Sequence, residues 1–127
     1  MSSLGKQIGG NHYKRFKIQP IEFIILNNLN FPEGNVVKYV CRHRFKDGLR
    51  DLEKAKHYIE MLIEFKDEFG KGLSHLGFNL TNKFDHLEGE IIKRIWRYSK
   101  SKDVKELEIA LECIDKLKEE YKCSKNS

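Results

Sequence analysis

The chain spells nearly the same phrase twice: "EGNVVKYVCRHR" begins at Glu33 and "EGEIIKRIWRYS" at Glu88. Setting residues 33–64 against 88–119 needs no gap. Glu33, Gly34, Lys38, Arg42, Leu52, Glu53, Ala55, Ile59, Leu62 and Glu64 all meet identical residues. Val36, Val37 and Val40 meet Ile91, Ile92 and Ile95, and Asp51 meets Glu106. Two amphipathic helices share some letters by coincidence of period. A gapless match that keeps a glycine and both basic positions goes further, and predicts an internal repeat.

Each copy reads as two helices. Val36, Val37 and Val40 give the first helix a short apolar face, as do Ile91, Ile92 and Ile95 in the second copy. Polar breaks follow, "RFKDG" and "SKSKD", with Gly48 as a helix terminator and Asp103 with Glu106 as a capping-box start. Leu52, Ala55, Ile59 and Leu62 then fall at spacings of three and four, matched by Leu107, Ala110, Ile114 and Leu117. A hairpin with one apolar face cannot bury it alone. The expected fold is therefore all-α: two tandem helical hairpins forming a four-helix bundle-like core. An extra helix from Pro20 to Leu29 precedes the first copy, with Pro20 at its first turn and "NFPEG" breaking it. The corresponding "LSHLGFNLTNKF" is richer in Gly and Asn and reads as a degraded counterpart or a loop. The organisation expected is one domain over 1–127: an arm, helix and hairpin over 9–68, a linker over 69–87 and a second hairpin over 88–121, with frayed ends including "KCSKNS".

Composition narrows the function classes. The chain has 127 residues, 39% hydrophobic and 34% charged, with only two prolines. Three cysteines, Cys41, Cys113 and Cys123, form no CxxC pair, which argues against a disulfide framework or a zinc site and for a reducing cytosol. The longest apolar run, around "FIIL", is too short to span a bilayer, and no signal-peptide stretch opens the chain. The formal net charge of +5 suits either an ordinary basic surface or a polyanionic partner. Acids are interleaved along the same helices, so no basic stripe for nucleic acid emerges.

Lys38 and Arg42 are four apart and share a helix face, as do Lys93 and Arg97, while Arg44 and Lys46 extend the basic surface. Two readings stay open: a solvated face with structural pairs to helix acids such as Glu53, or a phosphate clamp in which Arg supplies a fork and Lys a point charge. Both bases are kept while Tyr39, Cys41 and His43 change to Arg94, Trp96 and Tyr98, which favours the clamp. "IGGNHYKRF" brings glycines beside His12, Tyr13, Lys14 and Arg15, an anion-tolerant pattern without a Walker loop. Glu22, Glu33 and Asp51 lie near helix ends, where acids offset the dipole, and their spacing requires no metal. Trp96 reads as core or interface.

"GGNHYKRFKIQPIEFI" (Gly9–Ile24) and "NFPEGNVVKYVCRHRFKDGLRDLEKAKHYIEMLIE" (Asn30–Glu64) resemble the SaV-like phage proteins, a family of unknown function to which nucleotide kinase activity is often ascribed. The resemblance implies a small helical phage protein of the host cytoplasm that handles a nucleotide without a P-loop. It implies Lys38, Arg42 and His12 on phosphates. Tyr13 or Tyr39 would stack on a base, and Glu22, Glu33 or Asn35 would read its edge or a ribose. Gln19, Asp51, Lys54 and Tyr58 are further motif positions. Substrate contacts are expected from the motif positions Tyr13, Gln19, Glu22, Glu33, Asn35, Tyr39 and Lys54, and, from the basic faces and the repeat, from Lys46, Lys93 and Arg97. The second copy departs from the motif, with Glu90, Arg94, Ile109 and Cys113 in place of Asn35, Tyr39, Lys54 and Tyr58, so at most one complete site per chain is expected. A more distant similarity is to the MazG-type all-α nucleotide pyrophosphohydrolases, but "PEGN" stands where their acid-rich stretch would be.

Three functions follow as expectations. The first is a nucleoside monophosphate kinase-like enzyme using a nucleoside triphosphate with or without Mg²⁺. The second is a non-catalytic sponge, needing no cofactor, that sequesters a nucleotide immune signal of the cyclic dinucleotide or ADP-ribose type. The third is a MazG-like pyrophosphohydrolase. A homo-oligomer is expected in each case, because Phe45, Phe65 and Phe69 seek cover.

Overall fold

The computed structural model describes residues 16–126. They form six α-helices and, among the described residues, no strand: α1 Pro20–Leu26, α2 Phe31–Arg42, α3 Leu49–Glu64, α4 His75–Asn82, α5 His86–Ser101 and α6 Val104–Asn126. The chain divides into two compact units, residues 1–70 and 71–127. The boundary falls in "FGKGLSHLG", where Gly70 and Gly72 both take positive φ.

In the first unit α1 packs on α2, and α2 packs on α3; in the second, α4 packs on α5, and α5 on α6. The starts at Pro20, Phe31 and Leu49 recur at His75, His86 and Val104, each displaced by the same spacing as the repeated phrases. α4 is thus a helix where the sequence left a loop open.

Local chemistry fixes these starts. Asn30 Oδ1 accepts from the Glu33 amide at 2.9 Å, and the Glu33 carboxylate accepts from the Asn30 amide at 2.9 Å. Asp85 and Glu88 form the same reciprocal box at 2.8 and 3.0 Å. The Gln19 amide donates to the Glu22 carboxylate at 3.2 Å, and Pro20 follows at the first helical position. "NFPEG" therefore opens α2 rather than closing α1, which ends three residues before the expected Leu29. A glycine follows immediately after Glu33 and after Glu88. A Cβ on Gly34 would meet Ile24 Cγ2 at 3.2 Å, and one on Gly89 would meet Asn79 Nδ2 at 3.4 Å. The repeated "EG" is thus a cap followed by a point of close helix approach.

The expected capping box at α6 does not form. Asp103 accepts from the Lys105 amide at 3.0 Å, but the Glu106 carboxylate turns to Arg94 instead. α6 also runs to Asn126, past the frayed end expected from Lys122. Gly48, at φ +51°, caps α3 in a conformation that side-chain-bearing residues rarely take.

Among the described residues of the two hairpins, the buried apolar side chains are small: Ala55, Ala110 and Cys113. Ala55 and Ala110 occupy matching places, where a methyl lets paired helices approach closely. Leu52 and Ile59, expected on the core face of α3, remain 41% and 45% exposed, because the hairpin seam centres on Ala55.

Candidate functional site

The tight turn after α2 brings the third residue of α3 back against the end of α2. There the Arg42 guanidinium meets the fully buried Asp51 carboxylate. Nε lies 3.1 Å from both Oδ1 and Oδ2, and Nη2 lies 3.0 Å from Oδ1. The Asp47 amide also donates to Asp51 Oδ2 at 3.2 Å, and the Asp47 carboxylate stands 3.5 Å from the same guanidinium. Burial alone would raise Asp51; the hydrogen bonds from Arg42 and from the Asp47 amide, with the charges of Arg42 and Lys54, outweigh it and hold the carboxyl below its ordinary value. Arg42 thus fastens α2 to α3. Its partner is Asp51 rather than a residue such as Glu53.

One turn earlier on α2, Tyr39 gathers the remaining charge. Its ring stacks on Tyr58 of α3, with centroids 6.0 Å apart and planes 10° from parallel. Lys38 Nζ lies 5.1 Å from the Tyr39 centroid, Lys54 Nζ 5.2 Å and Arg42 Cζ 4.7 Å. Phe31 meets Tyr58 edge-on at 5.9 Å, and His57 lies 6.1 Å from the Tyr58 centroid. Tyr39, Tyr58 and His57 border an open groove of about 390 Å³ that is also lined by Arg50, Glu53 and Lys54. Lys38 and Lys54 form no ion pair with any described carboxylate. The arrangement offers ammonium groups for an anion and ring faces for a flat group.

The structure therefore brings Lys38, Tyr39, Arg42 and Lys54 together. Gln19, Glu22, Glu33 and Asn35 are engaged locally: the first three form helix starts, and Asn35 Nδ2 donates to the Phe31 carbonyl at 2.9 Å. Lys46 stands exposed in the turn after α2. His12 and Tyr13 lie outside the described residues. Burial pushes the Cys41 thiol up, which suits a filler rather than a nucleophile. Sequence reasoning missed Arg50, Glu53 and His57 as groove residues; the only signal was their spacing of three and four along one helix.

The second unit is wired differently. Arg94, at the place of Tyr39, bonds Glu90 at 2.8 Å and Glu106 at 3.0 Å. Burial pushes Glu90 up, but Arg94, Lys93 and His86 outweigh it and hold it below its ordinary value. Lys93 lies 4.0 Å from Glu90, and Arg97, the counterpart of Arg42, is exposed. Trp96 is 37% exposed and meets His75 at 4.9 Å, with Lys100 5.7 Å from its ring. Among the described residues no three His, Cys, Asp or Glu side chains gather as a metal site, and no helix is long and apolar enough to cross a membrane.

The class these features define is an all-helical protein whose first hairpin carries an aromatic, basic groove. Residues 9–60, which supply that hairpin up to the last turn of α3, match the model of a family described as a protein of unknown function (DUF3310). No curated protein and no solved structure matches the chain.

Proposed function

We propose that the protein binds a small phosphorylated molecule of the nucleotide class in the groove between α2 and α3, and holds it without turnover. The observation that carries this reading is the Tyr39–Tyr58 stack flanked by Lys38 and Lys54, beside an open groove. An ammonium group without a carboxylate partner attracts phosphate, and a ring face at the same place supports a base. Retention is favoured over phosphoryl transfer because Arg42, expected on the phosphates, has Asp51 against its guanidinium. Transfer depends on positioned positive charge at the moving group, and a neutralised guanidinium supplies little. Sequestration of a nucleotide signal in the host cytoplasm is the biological role that fits. Self-association belongs to the same proposal, since Val40, Ile59 and Ile63 stay exposed.

The test is a thermal-shift panel of mono-, di-, tri- and cyclic nucleotides, followed by denaturation and recovery of the ligand. Binding should raise the melting temperature, Lys54→Ala and Tyr39→Ala should remove the rise, and the ligand should return unchanged. A ligand returned with a phosphoryl group gained would make the protein a kinase-type enzyme, and loss of pyrophosphate would make it a pyrophosphohydrolase. No shift with any nucleotide would end the reading.

A further inference from the structure

Among the described residues Glu53 is the one carboxylate in the groove lining. Arg50 stands three residues before it, Lys54 follows it, and His57 stands four residues after it, spacings at which helix side chains meet. Even so, the Glu53 carboxylate forms no ion pair or hydrogen bond with any described residue. A groove built only to hold an anion gains nothing from a carboxylate in its wall, because like charges repel. The acceptor makes sense if the ligand brings donors as well as a phosphate.

The order along α3 says which donors. With a rise of about 1.5 Å per residue, Arg50 lies about 4.5 Å from Glu53 along the axis, and Tyr58 lies about 7.5 Å from Glu53 on the other side. Lys54 sits almost level with Glu53. The groove thus presents, in sequence, a cationic end at Arg50, a middle where Glu53 stands beside Lys54, and a ring end at Tyr58 with His57. A nucleoside monophosphate presents phosphate, sugar and base in the same order. The part opposite Glu53 is the sugar, whose donors are hydroxyl groups. Two carboxylate oxygens can accept from the two adjacent hydroxyls of a ribose, and charge-assisted bonds of this kind are the stronger ones.

We infer that Glu53 is a specificity-determining residue that accepts from the 2′- and 3′-hydroxyls of the sugar, so that the groove selects ribonucleotides over 2′-deoxyribonucleotides. The inference rests on the nucleotide reading above but adds a discrimination that reading does not contain.

Calorimetric titration of the full chain and of Glu53→Gln tests it, using AMP, GMP, CMP and UMP beside their 2′-deoxy counterparts. The tightest ribonucleotide should bind the native protein at least tenfold more tightly than its 2′-deoxy form. In Glu53→Gln the ratio should fall to near one, because the ribonucleotide loses the bonds from both hydroxyls while the 2′-deoxy form loses only the one from its 3′-hydroxyl. The exposed, unpaired position makes the variant neutral for folding, which its melting curve verifies. Equal affinity for both sugars in the native protein, or a preference that survives Glu53→Gln, overturns this inference while leaving nucleotide binding intact. Failure of both sugar series to bind overturns the nucleotide reading, and this one with it.

Discussion

At the scale of single residues, Arg42 shows how a charge can be legible without its role being so. Its presence in both copies of the repeat marked it as a candidate ligand for phosphate. What the pattern lacked was Asp51, nine positions away across a turn whose path no periodicity encodes. Once the turn closes, both charges leave water, and each depends on the other. Removing one partner leaves an uncompensated buried charge, which costs about 3–5 kcal/mol. Asp51→Asn should therefore lower stability to urea by roughly that amount; a loss under about 1 kcal/mol would show that Asp47 can replace it. The pair also sets a pH dependence. Asp51 is held below its ordinary value of 3.8, so the unfolded chain takes up a proton at higher pH than the folded chain does. The contribution is complete above that ordinary value and fades as pH falls through the depressed folded one. Urea midpoints measured from neutral pH to pH 2 should show this acid loss in the native protein, and a shallower one in Asp51→Asn.

At the scale of elements, the two hairpins solve one problem with different wiring. α2 stops at Arg42 and a six-residue turn leads to α3, whereas α5 continues to Ser101 and reaches α6 through Lys102 and Asp103. With that change of turn, the base that meets the third residue of the second helix moves back by one helical turn, from the place of Arg42 to that of Tyr39. Aligned letters therefore mislead here: Arg97 matches Arg42 in sequence, while Arg94 matches it in work. Arg94→Ala strands Glu90 and Glu106 in a partly buried position and should lower stability by clearly more than the loss of Arg97 does. Arg97→Ala, at an exposed place, should stay within about 0.5 kcal/mol. Chemical denaturation of the two variants side by side checks the assignment, and the reverse order of effects would refute it. The helix starts are partly readable: Pro20 announces α1, but "NFPEG", with Pro32 and Gly34 in it, reads as a break. Both residues are compatible with a first turn, and only the reciprocal bonds of the box reveal it.

At the scale of the whole molecule, the all-helical class was legible in the scarcity of proline and the spacing of apolar residues, and so was the asymmetry between the copies. The groove itself was not, because Arg50, Glu53 and His57 look like any solvated helix face until α2 supplies Tyr39. That asymmetry makes a prediction about stoichiometry. Every residue of the groove lies in the first unit, and the second unit carries Arg94, Ile109 and Cys113 where the first has Tyr39, Lys54 and Tyr58. Arg94 is already bound to two glutamates, Ile109 offers no charge, and Cys113 is buried. Neither the ring stack nor its ammonium partner can form there. Titration with a bound nucleotide should therefore saturate at one equivalent per chain, whatever the state of association. Tyr39→Ala should abolish that equivalent, and Trp96→Ala, which alters the largest ring of the second unit, should leave it untouched. Two equivalents per chain would mean that the second hairpin binds as well, and a site lost with Trp96 but kept in Tyr39→Ala would mean that the groove of the first hairpin is not what holds the ligand.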